Sequence, residues 1–502
     1  MSVVWNGQWV ADRLGLSLAN DARPELTLSD LVGLALRRNP RRSHLIVSSV
    51  LGKHIPTDPT IVYGAGRLLG ALAADCITGR DSGIAEVGPA LLRSALRGSP
   101  DSATALLRRC AEHASSRPAG WPLVVASMAV LGYAETATAL GHAVADALDA
   151  DCLHSTRRCP PGTVAAAGFE EEHSHATRHL LLPEDPTLLA RAGPLLLVDD
   201  ELSTGRTALN TIAALHALAP RSRYVIASLV DLRSRADKAR MASMAASLGA
   251  AVTVVALVEG HLDLPADAAS IGQQLVGEHT VSVDRPTGRT PPQRLSLTGW
   301  KGIREGGRHG FGSHHRAALW SVAHEVAQQV ASRLVGARVL VLGCEELMYA
   351  PLVIANRLKD LLGERTEVRF SSTTRSPVLP VDDAGYAIRN RLTFPSHDNP
   401  ADGPGPRFAY NVAPGSNPDH RFTDILVVVD QPGDTAALHS QGGLLDQLAG
   451  CCDQVHLLTL PAYQPPPEPM PCPPPHEPNQ ICRNPSTDRP LEATTTTTSP
   501  GS

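Results

Sequence analysis

The chain is poor in aromatic residues, which fill 4% of its 502 positions. That leaves few stacking platforms for unpaired bases. It also lacks an excess of either charge. With 45 Lys and Arg against 50 Asp and Glu, the formal charge is −5, so no general attraction to a nucleic-acid backbone or an anionic membrane is expected, and any anion must be bound locally. A CxxC pair is missing, and the nine cysteines are odd in number and scattered. They fit reduced thiols in a cytoplasm better than a disulfide framework or a zinc site. No run of about 18 uninterrupted apolar residues is present to span a bilayer. The first 18 positions, which include Asn6, Gln8, Asp12 and Arg13, have neither the basic start nor the apolar centre of a signal peptide. A soluble cytoplasmic protein is the expectation, with no membrane and no bulk nucleic acid among its partners.

The length suggests about three domains, and composition divides the chain. The last segment, 465–502, holds 12 of the 41 prolines, a run of five threonines and almost no large apolar side chains. It cannot bury enough surface to offset its ordering entropy and is expected to be disordered. A glycine- and proline-rich stretch within 265–311 reads as a linker, with a phosphate-contacting loop formed by Arg304, Arg308, His309, His314, His315 and Arg316 as the secondary reading. The expected organisation is an N-terminal extension over 1–36, a first domain over 37–264, the linker, a second domain over 312–464 and the tail.

Between these breaks short apolar runs (45–50, 123–131, 195–198, 224–230 and 251–258) alternate with stretches of helical period such as 136–148 and 207–218. The alternation predicts an α/β fold with a mostly parallel sheet. Ligands of such sheets bind at loops leaving the carboxyl ends of strands, so chemistry should follow each apolar run.

After 195–198 come Asp199 and Asp200, then Ser203, Thr204, Gly205, Arg206 and Thr207, which turn into a helix. Backbone N–H groups and hydroxyls at a helix N-terminus form an anion nest suited to a phosphomonoester, and Gly205 permits a positive φ. Two carboxylates beside a phosphate are costly unless they serve vicinal hydroxyls or hydrated Mg²⁺. A phosphate nest with a diol-binding acid pair describes a ribose-5-phosphate site. Upstream, the run to residue 131 leads into Gly132, Tyr133, Ala134, Glu135 and Thr136 and a helix, a second strand, loop and helix start. Glu135 there either meets Mg²⁺ or an arginine, or simply sits in the first helical turn. Arg157 and Arg158 could grip phosphate oxygens, and Lys53, after Gly52, is a candidate phosphate or hood contact.

The stretch LLLVDDELSTGRT resembles the phosphoribosyl-pyrophosphate (PRPP) signature of type I phosphoribosyltransferases. The resemblance implies that Asp199 and Asp200 hold the ribose hydroxyls, with indirect contact to Mg²⁺, and that residues 203–207 hold the 5-phosphate. It also implies that the 132–136 loop, with Arg157 or Arg158, holds pyrophosphate. Glu201 departs from the pattern, standing where an aliphatic residue is usual. Residues 169–179, which include His173 and His175, fall where the family carries a lid; a metal site is the alternative reading.

Together with VLGKHIP, GYAETATALG, HSTRR and the Thr374-Arg375-Ser376-Pro377 motif, the chain is similar to the TRSP-domain phosphoribosyltransferase proteins encoded with bacterial tellurium-resistance (ter) genes. That resemblance implies transfer of ribose-5-phosphate to a small base or nucleotide-like acceptor in a stress pathway. A homo-oligomer and other ter-associated proteins are compatible partners, and a non-catalytic PRPP sensor is the rival reading.

The second half also echoes the first. Gly343 and Glu346 repeat the spacing of Gly132 and Glu135, residues 372–375 parallel 155–158, and the run ending at Asp430 parallels the one ending at Asp199. A degenerate internal repeat is expected, with Thr374 and Arg375 lining a separate pocket beside Gly343 and Glu346.

Overall fold

The computed structural model describes residues 4–22, 24–37, 39, 42–158, 160, 163–170, 178–279, 290–296, 299–300, 302–398 and 405–464. The tail expected to be disordered, 465–502, and most of the expected lid, 171–177, lie outside the described residues.

The larger sheet has six strands in the order Ser17–Asn20, Ala251–Asp263, Arg223–Asp231, Leu195–Leu202, Ala129–Gly132 and Cys152–His154. All neighbours run parallel except the first pair. The apolar run Leu195, Leu196, Leu197 and Val198 is fully buried, as expected for a strand covered on both faces. Helix Thr138–Leu148 carries the chain from Gly132 to Cys152, helix Arg206–Leu218 from Leu202 to Arg223, and helix Arg235–Ser247 from Asp231 to Ala251. The crossovers diverge: after Ala129–Gly132 the chain moves toward one edge, and after Leu195–Leu202 toward the other. The switch point between those two strands is where a parallel sheet opens a crevice. It faces the 132–136 loop on one side and residues 199–207 on the other.

The second sheet is Gln293–Arg294, Gln454–Leu460, Asp424–Asp430, Arg338–Gly343 and Glu367–Ser372, all parallel. Its connectivity reproduces the first. Arg338–Gly343 passes through helix Tyr349–Leu362 to Glu367–Ser372; an antiparallel hairpin follows (Arg391–Pro395 with Pro406–Tyr410), and Asp424–Asp430 returns to the other side of Arg338–Gly343. The first half places the hairpin Ala167–Glu170 with Arg178–Leu181 at the same point.

Strand register sets the alignment of the halves one residue away from the sequence reading. Gly132 pairs with His154 and Gly343 with Ser372, so Arg375 corresponds to Arg157, not Arg158. Leu131 pairs with Leu197 and Leu342 with Val427, so Asp430 corresponds to Asp200. Side chains agree: Ser155 Oγ accepts from the Ala134 N–H at 3.0 Å and Thr373 Oγ1 from the Glu345 N–H at 3.2 Å.

The halves exchange strand-like segments. Thr57 and Phe370 trade both backbone hydrogen bonds, at 3.0 and 2.8 Å, as do Cys152 and Phe311, at 2.9 and 2.8 Å. Each exchanged segment runs into a long helix, Pro59–Thr78 or Ser313–Ala331. Gly52 makes the first crossing possible. Its φ is +64°, and a Cβ there would lie 2.4 Å from the Phe370 ring and 3.0 Å from the Phe370 carbonyl oxygen. Helix Pro59–Thr78 is long and apolar enough to cross a membrane by composition, but 72% of that window is buried within the protein, as a core helix requires. The described residues as far as Tyr463 form one compact unit.

Several segments differ from the sequence reading. Described parts of the expected N-terminal extension join the sheets: Ser17–Asn20 is the larger sheet's antiparallel edge, and Val32–Arg37 forms a hairpin with His44–Ser48, so the strand expected at 45–50 lies outside the parallel sheet. The 123–131 run divides into helix Trp121–Ser127 and strand Ala129–Gly132; continuous apolarity alone does not distinguish the two. Within 265–311, read as a linker, lie helix Ala268–Glu278, strand Gln293–Arg294 and the buried residues Glu305, Arg308, His309 and Phe311. Ion pairs of Arg308 with Glu305 and Glu346 accompany that burial.

Candidate functional site

The switch point opens into a cavity of about 240 Å³. The strand Leu195–Leu202 extends through the acid pair rather than stopping at Val198. Asp199, Asp200, Glu201, Ser203 and Thr207 line the cavity from this side. Gly205 caps the following helix with φ +74°, and a Cβ there would come within 2.8 Å of the Met241 methyl and 3.2 Å of Arg233 Cδ. Thr204 Oγ1 accepts from the Arg206 N–H at 3.4 Å; Arg206 is exposed. Neither of these two lines the cavity, and nor does Gly205.

The Asp200 N–H donates to Asp199 Oδ1 at 3.0 Å. Burial, with the neighbouring Glu201 charge, pushes the Asp200 carboxyl up to about 6. Glu201 has its own cation, Arg42 at 2.7 Å. That pair ties the signature strand to the hairpin Val32–Arg37 with His44–Ser48, which roofs the cavity through Arg37, Leu45, Ile46 and Ser48. The third carboxylate therefore anchors the roof.

The opposite wall is the loop after Ala129–Gly132. Tyr133, Ala134, Glu135 and Thr136 line it. Gly132 ends the strand: a Cβ would lie 2.7 Å from the Ala137 carbonyl oxygen. The helix begins only at Thr138, so Glu135 is not in its first turn. It meets cations instead: Lys53 Nζ at 3.3 Å, Arg157 Nη1 at 3.9 Å and Arg375 Nε at 3.1 Å. Thr374 Oγ1 donates to it at 3.1 Å. Although burial opposes it, Lys53, Arg157 and Arg375 hold this carboxyl below its ordinary range. Lys53 Nζ also donates to Thr136 Oγ1 at 2.8 Å.

Arg158, expected beside Arg157, turns elsewhere. It pairs with Asp398 and, at 3.2 Å, with Asp430, and these carboxylates raise its already high pKa. It is absent from the cavity wall, leaving Arg157 there. Thr374 and Arg375, expected to line a separate pocket beside Gly343 and Glu346, line this cavity instead, as does Ser376. A small space of about 10 Å³ lies beside Glu346, His154 and Arg308. Arg308 pairs there with Glu346 and Glu305 and approaches Asp430.

His54 and His179 are further cavity residues that sequence reasoning missed. His179 Nδ1 lies 2.9 Å from Ser155 Oγ and its ring stacks on Phe169; burial and the Lys53 charge lower the His54 pKa to about 3. The TRSP motif was the available signal for Thr374 to Ser376, since it follows a strand's carboxyl end. Among the described residues no group of three or more His, Cys, Asp and Glu side chains could hold a metal ion.

Residues 31–261 match the family model described as phosphoribosyl transferase, and residues 305–448 match the one described as the TRSP domain, C-terminal to that transferase. Solved structures similar to the chain include three adenine phosphoribosyltransferases. That of Trypanosoma brucei, in complex with AMP, pyrophosphate and ribose-5-phosphate, is 12% identical, with 29% of this chain and 67% of that one covered and a TM-score of 0.21. That of Giardia lamblia, with 9-deazaadenine, is 20% identical over 34% and 85%, TM-score 0.22. That of Rhodothermus marinus is 20% identical over 29% and 83%, TM-score 0.19. No curated protein matches the chain.

Proposed function

We propose that this chain, which carries a phosphoribosyl transferase domain followed by its TRSP domain, moves ribose-5-phosphate from PRPP to a nitrogenous small-molecule acceptor and releases pyrophosphate. The observation that carries the reading is the cavity at the switch point, with an acid pair on one wall and a cationic cluster on the other. The acceptor is a base or nucleotide-like compound, and the ter resemblance supports a product used in a cytoplasmic tellurium-stress pathway.

Asp199 and Asp200 accept hydrogen bonds from the ribose 2′ and 3′ hydroxyls, and residues 203–207 hold the 5-phosphate at the helix N-terminus. The C1–oxygen bond to pyrophosphate breaks, the acceptor nitrogen forms a bond to C1, and the acceptor loses a proton. Lys53, Thr136 and Arg157 stabilise the charge that collects on the departing pyrophosphate. The roof strands Val32–Arg37 and His44–Ser48 keep water from the cationic sugar centre.

Mg²⁺ fits this donor set. Asp199 and Asp200 supply hard oxygens, and a carboxyl already resisting ionisation gains from a nearby cation. Mg²⁺ arriving on PRPP needs few protein ligands because phosphates and water complete its shell. When bound it would neutralise pyrophosphate charge.

Incubation with PRPP and Mg²⁺, with pyrophosphate followed in the presence and absence of a pool of bases, tests the reading. Acceptor-dependent pyrophosphate release is expected; no release with any base or cell extract would count against it.

A pH dependence follows from Asp200. Its carboxyl titrates near 6, so the acceptor form is full at pH 7.5 and lost as pH falls through 6. PRPP affinity measured by calorimetry should weaken several-fold between pH 7.5 and 5.5. Asp200→Asn should show a shallower slope, which separates the protein's titration from that of the ligand phosphates. Identical slopes would remove Asp200 from ribose binding.

A further inference from the structure

The contacts between the two halves are reciprocal. Glu135, from the first half's loop, accepts from Thr374 Oγ1 and pairs with Arg375 of the second half. Glu346, at the corresponding place in the second loop, accepts from Thr156 Oγ1 at 2.6 Å and from the Arg157 N–H at 2.8 Å. Register makes Thr374 the counterpart of Thr156 and Arg375 the counterpart of Arg157. Each half thus hands a Thr-Arg pair to the other's loop.

Around the second loop, Arg308 reaches Glu346 at 3.3 Å and Arg158 reaches Asp430 at 3.2 Å. The first half's site is open at about 240 Å³, and Arg375 is part of its wall. Arg375 is anchored through Nε, which bonds Glu345 Oε2 at 2.5 Å and faces Glu135 Oε1 at 3.1 Å. Glu345 is fixed in turn by Arg407 Nε at 2.7 Å. A guanidinium locked on its stem and set in a cavity wall is preorganised for a planar, bidentate anion contact.

We infer that Arg375 of the TRSP half, together with Arg157 and Lys53 of the transferase half, binds the pyrophosphate group, so the active site is completed by the second half. The inference rests on the phosphoribosyl-transfer reading and adds the residue that the second half supplies. Ribose contacts stay with Asp199 and Asp200. The isolated first half, ending before residue 305, lacks this arginine, which gives the second half a reason to be present.

The test uses the full chain and two separate probes, inorganic pyrophosphate with Mg²⁺ and ribose-5-phosphate, titrated by calorimetry. Arg375→Ala should weaken pyrophosphate binding at least about tenfold and change ribose-5-phosphate binding less than twofold. Arg375→Lys keeps the charge near Glu135 and Glu345 and should recover part of the pyrophosphate affinity. Thermal unfolding of both variants reports whether the fold persists. If the Lys variant is folded and binds pyrophosphate like the parent chain, and the Ala variant does too, Arg375 is only an interface clamp. Equal loss of both probes in the Ala variant, both restored fully by Lys, would also assign it a structural role. Failure of the unaltered chain to bind ribose-5-phosphate would instead overturn the underlying phosphoribosyl reading.

Discussion

Replacing Asp199 and Asp200 together by asparagine should lower PRPP affinity by at least about 100-fold while leaving the melting temperature unchanged or slightly raised. Each carboxylate bond to a ribose hydroxyl is a charge-assisted hydrogen bond of about 1.5–3 kcal/mol. Loss of two amounts to about 3–6 kcal/mol, two to four powers of ten. The fold should not suffer, because the pair lies at the carboxyl end of its strand on the cavity wall, and the tie to the roof runs through Arg42 and Glu201. Burial already disfavours the Asp200 charge, so asparagine relieves a cost. Calorimetry with PRPP and Mg²⁺ measures the first effect and thermal unfolding the second. Unchanged affinity would place the ribose elsewhere. A large drop in melting temperature would mean that the pair supports the strand and not a ligand.

What the sequence made legible followed from local chemistry. The acid pair, the Ser203 to Thr207 turn and the Gly132 loop could be read because each is contiguous, with strand, turn and helix start in one stretch. The paired arginines could be read only as a pair. Which of them faces the cavity depends on Asp398 and Asp430, more than 200 positions away, and these draw Arg158 off. Glu135 was ambiguous for the same reason, since Lys53 and Arg375 reach it from distant segments.

The internal repeat was visible from four short likenesses, but its register was not. A one-residue offset is set by backbone pairing of Gly132 with His154 and Gly343 with Ser372, which spacing alone does not specify. The exchange of segments at Thr57 and Phe311 could not be read at all. Such crossings are ordinary backbone pairings between remote strands, and nothing in the composition of either segment marks its partner. The stretch 305–311 misled because glycines and charges usually signal solvated chain; here Arg308 is buried against Glu346 and Asp430, carboxylates brought to it from distant positions of the same half.

That joining of halves should be measurable at Asp146. This carboxylate sits on helix Thr138–Leu148 of the first half, buried, and three elements converge on it. Tyr63 Oη donates to Oδ2 at 2.9 Å from helix Pro59–Thr78, and Tyr349 Oη donates to the same oxygen at 2.5 Å from the second half's helix. Arg316 Nε, from helix Ser313–Ala331, donates to Oδ1. Burial and the Asp146 charge push the Tyr63 hydroxyl far above its ordinary range, and Asp146 with Tyr349 raises Arg316 despite burial, so the charges are arranged as one carboxylate serving one cation and two phenols. Asp146→Ala strips the cation of its principal partner and leaves two buried hydroxyls without an acceptor. Removing one member of a buried pair costs about 3–5 kcal/mol. The urea-unfolding midpoint should fall accordingly, whereas Asp146→Asn, which keeps an acceptor oxygen, should lose less. Ribose-5-phosphate binding well below the new midpoint should persist, since Asp146 does not line the cavity. A loss below about 1 kcal/mol for the alanine variant would show that the halves are held by the strand exchanges and the Glu135 and Glu346 contacts alone.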